Sequence, residues 1–134
     1  MTSQLNVDTI KGKSTAGSIS IQGEGSKTTN LQQGLCKVRV QYDAPSTSNG
    51  EEITVGDSHN LTSIFDNGDG QVMMNFTNNM ANVNYVLNVT ATSQVFGALD
   101  TGTATTSQVR METWGHGGSI SNTAGMSAIF GDLA

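Results

Sequence analysis

LTSIFDNGDGQVMMNFT, residues 61–77, is two apolar-rich runs separated by a polar reversal. Leu61–Phe65 and Gln71–Thr77 carry the β-branched and aromatic residues that fit a pleated, half-buried surface. Between them, Asp66, Asn67, Gly68, Asp69 and Gly70 accept positive φ at little cost. The stretch therefore predicts a β-hairpin with a five-residue loop.

The same texture continues in both directions. Upstream, Val38, Val40 and Tyr42 alternate with Lys37, Arg39 and Gln41, predicting a half-buried strand with a charged outer face. Residues 44–52 read as a loop around Pro45 and the Asn49-Gly50 turn signal, followed by a short strand at Ile53-Thr54-Val55. Downstream, Tyr85, Leu87, Val89 and Ala91 share one face of residues 83–91. Residues 94–99, 107–114 and 126–130 complete a set of about eight short strands, with Val109 and Met111 facing in and Gln108, Arg110 and Glu112 facing out. Strands this short, spaced by Gly, Asn, Asp and Ser turns, predict an all-β, antiparallel sandwich or jelly-roll-like domain over residues 35–134.

Composition agrees. Gly, Thr, Ser and Asn supply 59 of the 134 residues, the mixture of turn formers and strand formers that a helical bundle lacks. Only 13% of residues are charged, about half the usual share, so the chain is no charged disordered tail.

Residues 1–34 differ. They hold no Phe, Tyr or Trp and only scattered Leu, Val and Ile, too few for a core. Leu5-Asn6-Val7 and Ser18-Ile19-Ser20-Ile21 alternate as short strands would, and the polar residues 23–30 read as a turn. This segment predicts an extended N-terminal arm that gains order by lying on another surface.

The net charge of −5 and the scatter of six Lys and Arg exclude the basic stripe that a nucleic-acid partner requires. No apolar run is long enough for a transmembrane helix or a signal peptide, so no membrane partner is expected and synthesis is expected in the cytoplasm. Cys36 is the sole cysteine and reads as a small buried thiol.

The candidate chemistry is thin. Asp57-Ser58-His59 holds three triad residue types, but strand neighbours point to opposite faces and no nucleophile elbow is present; His59 reads as a loop or core-edge residue. Asp66 to Gly70 lacks the alternating oxygen ligands of a calcium loop, with Thr77 where the bidentate Glu belongs. Two distant histidines make no metal site, and Glu51, Glu52 and Glu112 form no catalytic pair. No enzyme, cofactor or metal is expected. Trp114-Gly115-His116-Gly117-Gly118 sets the only Trp beside the second His in a glycine-rich loop, either a strand-end Trp capping the core or an exposed recognition loop that serves as a saccharide platform or an interface anchor.

Two stretches resemble virion structural proteins of tailed bacteriophages, in particular tail-fibre-like proteins of phages of cyanobacteria and marine bacteria. The first runs from Val7-Asp8-Thr9-Ile10 and Gly12 to Leu31-Gln32-Gln33-Gly34-Leu35 and Lys37. The second carries Asp57, Ser58 and Asn60, then Asp66, Gly68 and Gly70, then Phe76, Thr77, Met80 and Tyr85. His59, Cys36 and Ala81 depart from the pattern, standing where an aromatic, Ala and Pro are common. The resemblance implies a virion location, a homotrimer and contacts with other phage virion proteins. Val7, Ile10, Leu31, Gln32, Gln33, Gly34 and Leu35 are the expected docking residues. A short tail fibre or fibre adaptor is the leading expectation. A capsid decoration or cement protein is its rival, and a module using Trp114 and His116 to bind host surface polysaccharide is the third.

Overall fold

The computed structural model describes residues 5–12, 19–22, 26, 28–45, 49–92 and 95–134. In chain order the strands are β1 (Ser20–Gln22), β2 (Thr28–Asn30), β3 (Cys36–Tyr42), β4 (Val55–His59), β5 (Leu61–Asp66), β6 (Gln71–Phe76), β7 (Val86–Ala91), β8 (Val95–Asp100), β9 (Gln108–Gly115) and β10 (Gly125–Phe130). One helical turn, α1 (Leu31–Gly34), joins β2 to β3. From β3 onward the body is all-β, in two antiparallel four-stranded sheets ordered β4-β3-β10-β7 and β5-β6-β9-β8.

Alternation builds the core between them. Val38, Val40, Tyr42 and Ile129 from the first sheet meet Ile64, Val72, Met74, Phe76, Val109 and Met111 from the second in one buried cluster. Burying each such side chain contributes on the order of 1.5–3 kcal/mol. The buried hydroxyls of Tyr42 and Ser127 both donate across the sandwich to Met111 Sδ, at 3.7 and 3.3 Å. Phe76 and Tyr85 pack edge to face with ring centroids 6.0 Å apart, and the Tyr85 hydroxyl reaches the carbonyls of Thr105 and Gln108.

Three departures from simple alternation have local causes. Phe130 pairs with Cys36 while Ile129 pairs with Val38, so Lys37 is a bulge residue and is buried, against the expectation of an outward charge. The strand expected at Ile53-Thr54-Val55 forms later, as β4. Ile53 N–H instead donates to Ile64 O and Asp66 N–H to Glu51 O, so residues 50–53 line the edge of β5 before the chain crosses to β3. Asp66 pairs with Val72 and is buried, which shortens the expected five-residue loop to residues 67–70. Its Oδ1 accepts from Gly68 N–H at 2.8 Å, and Gly68 and Gly70 take positive φ as the turn demands.

The chain passes from one sheet to the other between β4 and β5, β6 and β7, β7 and β8, and β9 and β10. β4 and β5 are separated by Asn60 alone, whose φ of 56° turns the chain from one sheet to the other. Another crossing joins β7 to β8. There Gly97 sits so close to Val89 that a Cβ on it would lie 2.4 Å from Val89 Cγ1.

The described residues of the arm show no comparable packing. Leu5–Val7 forms no strand, contrary to expectation, and among the described residues no strand pairs with it. β1 and β2 make a small hairpin in place of a continuous extended arm. The expected strand at Ser18–Ile21 appears as Ser20–Gln22, with Ser18 outside the described residues, and the last three residues of the expected turn, Thr28–Asn30, are β2. Leu31 N–H donates to Ile19 O at 2.9 Å, closing this unit onto α1. No arm residue whose burial is described is buried.

Candidate functional site

Strand register places the candidate residues. On the second sheet, Val109, Met111 and Thr113 point into the core, so Arg110, Glu112 and Trp114 share the outer face. Phe96 pairs with Trp114 from one side, and Trp114 forms a β-bridge with Ile120 on the other. Directly opposed residues on antiparallel strands project to the same face. Phe96, Trp114 and Ile120 therefore form a transverse apolar row at one end of the sheet, with Phe96 61% and Ile120 38% exposed.

Turn chemistry makes this row possible. Gly115 N–H donates to Ser119 O at 2.7 Å, reversing the chain through Gly117 and Gly118, both at positive φ. Ser121 N–H then donates to Thr113 O at 3.0 Å and brings Ile120 alongside Trp114. Gly70 lies beneath this return, where a Cβ would strike Ile120 Cγ2 and the backbone of Ser121 and Thr113. The buried Thr113 hydroxyl holds the return through Ser121 O at 2.5 Å.

The next row is polar. Ala98 and Gln71 flank Glu112, and Gln71 Nε2 donates to Glu112 Oε1 at 3.0 Å. Beyond it, Arg110 donates to Asp100 Oδ2 and lies 3.9 Å from Glu112 Oε1. Desolvation opposes ionisation of Asp100, but hydrogen bonds from Gly102 N–H, Thr103 and Arg110, with the arginine charge, outweigh it and hold its carboxyl below the usual value. The face thus runs from an apolar row to a row of fixed acceptors.

Other expected residues fall elsewhere. His116 is exposed in the turn after β9, beyond the row that contains Trp114. Trp114 is half-buried on the outer face of β9, so it does not cap the core. The partners that sequence reading missed are Phe96 and Ile120; only knowledge of the β8–β9 register and the return through Ser121 links them. Val7 and Ile10 are exposed at 52% and 58%, as is Leu35, while Leu31 is half-buried and Gln32, Gln33 and Gly34 complete α1.

Asp57, Ser58 and His59 lie on the exposed edge strand β4, so His59 is a strand residue, not a loop residue. Asp57 forms a 2.8 Å ion pair with Arg39. Cys36 is half-buried, not fully buried, and its thiol donates to Val38 O at 3.0 Å. Among the described residues, no three or more His, Cys, Asp or Glu side chains group to hold a metal, and no helix is long and apolar enough to cross a membrane. A depression of about 220 Å³ lies on the outer face of the first sheet, lined by Arg39, Gln41, Asn88, Thr90, Met126 and Ala128. No protein-family model, curated protein or solved structure matches the chain.

Proposed function

We propose that the chain is a structural component of a tailed phage particle, a short tail-fibre or fibre-adaptor protein that attaches by residues 1–34 and displays the β-body. One contrast supports this reading. The body encloses its own core, whereas the arm leaves Leu5, Val7, Ile10 and Ile21 exposed, and none of its residues whose burial is described is buried. Exposed apolar side chains on such an arm gain burial when they meet a second protein surface. The motifs in the arm and in residues 57–85 that resemble phage fibre proteins make virion proteins the partners of choice.

A homotrimer fits the same contrast. Each arm would pack on a neighbouring copy, covering apolar surface such as Val86 and Met126 on the outer face of the first sheet. A capsid decoration protein uses the same arm and body at a different place on the particle.

Particle incorporation tests the reading. The chain lacking residues 1–30 is expected to fold but to be absent from purified particles, while the full chain is present. Normal incorporation of the truncated chain would overturn the docking role. Immunogold labelling of particles then separates a tail position from a shell position.

A further inference from the structure

We infer that the outer face of the β5-β6-β9-β8 sheet is a binding site for a neutral, hydroxyl-rich glycan, with Trp114 and Phe96 as its stacking surface and Glu112 and Gln71 as its polar contacts. The inference rests on this face alone and holds wherever the chain sits and whatever it assembles with.

The arrangement of the two rows carries it. Phe96 and Trp114 are cross-strand partners, and Ile120 extends the row. Large apolar side chains in such a row would ordinarily lie against a second layer, yet Phe96 is 61% exposed. Two residues further along the strands, about 7 Å away, the face changes to Glu112 and Gln71, which are already hydrogen-bonded to one another. A sugar ring has the same division. Its C–H face is apolar and stacks on an aromatic ring, while its rim carries hydroxyl donors. A hexose lying on Trp114 spans the distance between the rows and brings its hydroxyls over the Glu112 carboxylate.

Charge selects the ligand class. Arg110 is engaged by Asp100 and faces Glu112, so the two carboxylates outnumber the one cation on this part of the face. The whole chain carries a net charge of −5. Carboxylate oxygens accept hydrogen bonds from hydroxyls and repel anions. Neutral hexose and N-acetylhexosamine oligomers therefore suit the face, and uronic or sialic acids do not.

Preorganisation strengthens the reading. The polar row is held by the Asn67–Gln71–Glu112 chain of hydrogen bonds, and the apolar row by the Ser121–Thr113–Gly70 backbone contacts. Little side-chain freedom is lost when a ligand arrives.

The test uses the full chain on an array of neutral oligosaccharides of glucose, galactose, mannose and N-acetylglucosamine, with uronate and sialylated glycans as the acidic set. A neutral binder is expected, and its titration is followed by the fluorescence of Trp114, the only tryptophan. F96A is expected to weaken that binder by about tenfold or more, the scale of one lost aromatic anchor, with the melting temperature preserved because Phe96 is exposed. E112Q is expected to weaken it less and to relieve the exclusion of acidic glycans. Three results would overturn the inference: no neutral glycan bound, stronger binding to the acidic set, or a neutral binder unaffected by F96A.

Discussion

Asn60 and Asn78 hold each other across the corner between the two sheets. Asn60 Oδ1 accepts from Asn78 N–H at 2.7 Å and from Asn78 Nδ2 at 2.9 Å, while Asn60 Nδ2 donates to Asn78 O at 3.1 Å. The same Asn60 has a φ of 56°, the left-handed region that Asn tolerates better than other residues with a Cβ. One side chain thus both permits the turn of the chain and fastens it to the segment after β6.

Replacement of Asn60 separates these two roles. N60A loses the hydrogen bonds and retains a Cβ in the left-handed region, so it is expected to destabilise the chain by about 2–4 kcal/mol. N60G loses the bonds without the backbone strain and is expected to cost about 1–2 kcal/mol. Urea unfolding of the two variants checks the order. Equal losses would show that φ at this corner carries no strain.

The crossing from β7 to β8 rests on a missing side chain. G97A places a methyl group against Val89, and this overpacking is expected to cost about 1–3 kcal/mol. V89A opens the space, so the double variant is expected to be more stable than the sum of its parts predicts, with a coupling of about 1 kcal/mol or more. Additive losses in the double-mutant cycle would place the strain elsewhere.

These corners mark what was legible in the sequence and what was not. The alternation of Val38, Val40 and Tyr42, and of Val109 and Met111, predicts the strands and their buried faces, since a period of two needs only local information. The hairpin at residues 67–70 is equally local. Asn60 is different: a left-handed residue between two apolar runs reads like any turn residue, and its role appears only with Asn78 opposite. The bulge that buries Lys37 depends on the register of β10, far along the chain. Trp114 was recognisable as a candidate from its type and setting. Its companions Phe96 and Ile120 come from pairing between segments, which no single-segment pattern contains.

Alkaline pH tests the core. Tyr42 and Tyr85 are the only tyrosines, and burial pushes both hydroxyls up to about 12, with the neighbouring Ser127 hydroxyl tempering the effect at Tyr42. A folded value raised above the ordinary 10.0 stabilises the fold fully below pH 10, and that contribution is lost as pH rises towards about 12. Tyrosinate absorbance and loss of far-UV circular dichroism are therefore expected to rise together above pH 10. Tyrosinate forming at its ordinary pH in a chain that is still folded would contradict the buried positions.

Acid pH tests the polar row. The lowered value of Asp100 means that its stabilising contribution is complete above the unfolded value, about 3.9, and is lost as pH falls through the folded one. D100N is expected to melt below the parent at neutral pH, and the gap is expected to narrow below about pH 4. Thermal melts of both proteins across that range check it; a constant gap would remove Asp100 from the acid response.

Assembly through the arm is open to sedimentation velocity on the full chain beside its L5D/V7D/I10D variant. The arm reading predicts a species of three times the 14.0 kDa chain mass for the parent and a folded monomer with an unchanged melting temperature for the variant. A parent that stays monomeric, or a variant that assembles as the parent does, would contradict it.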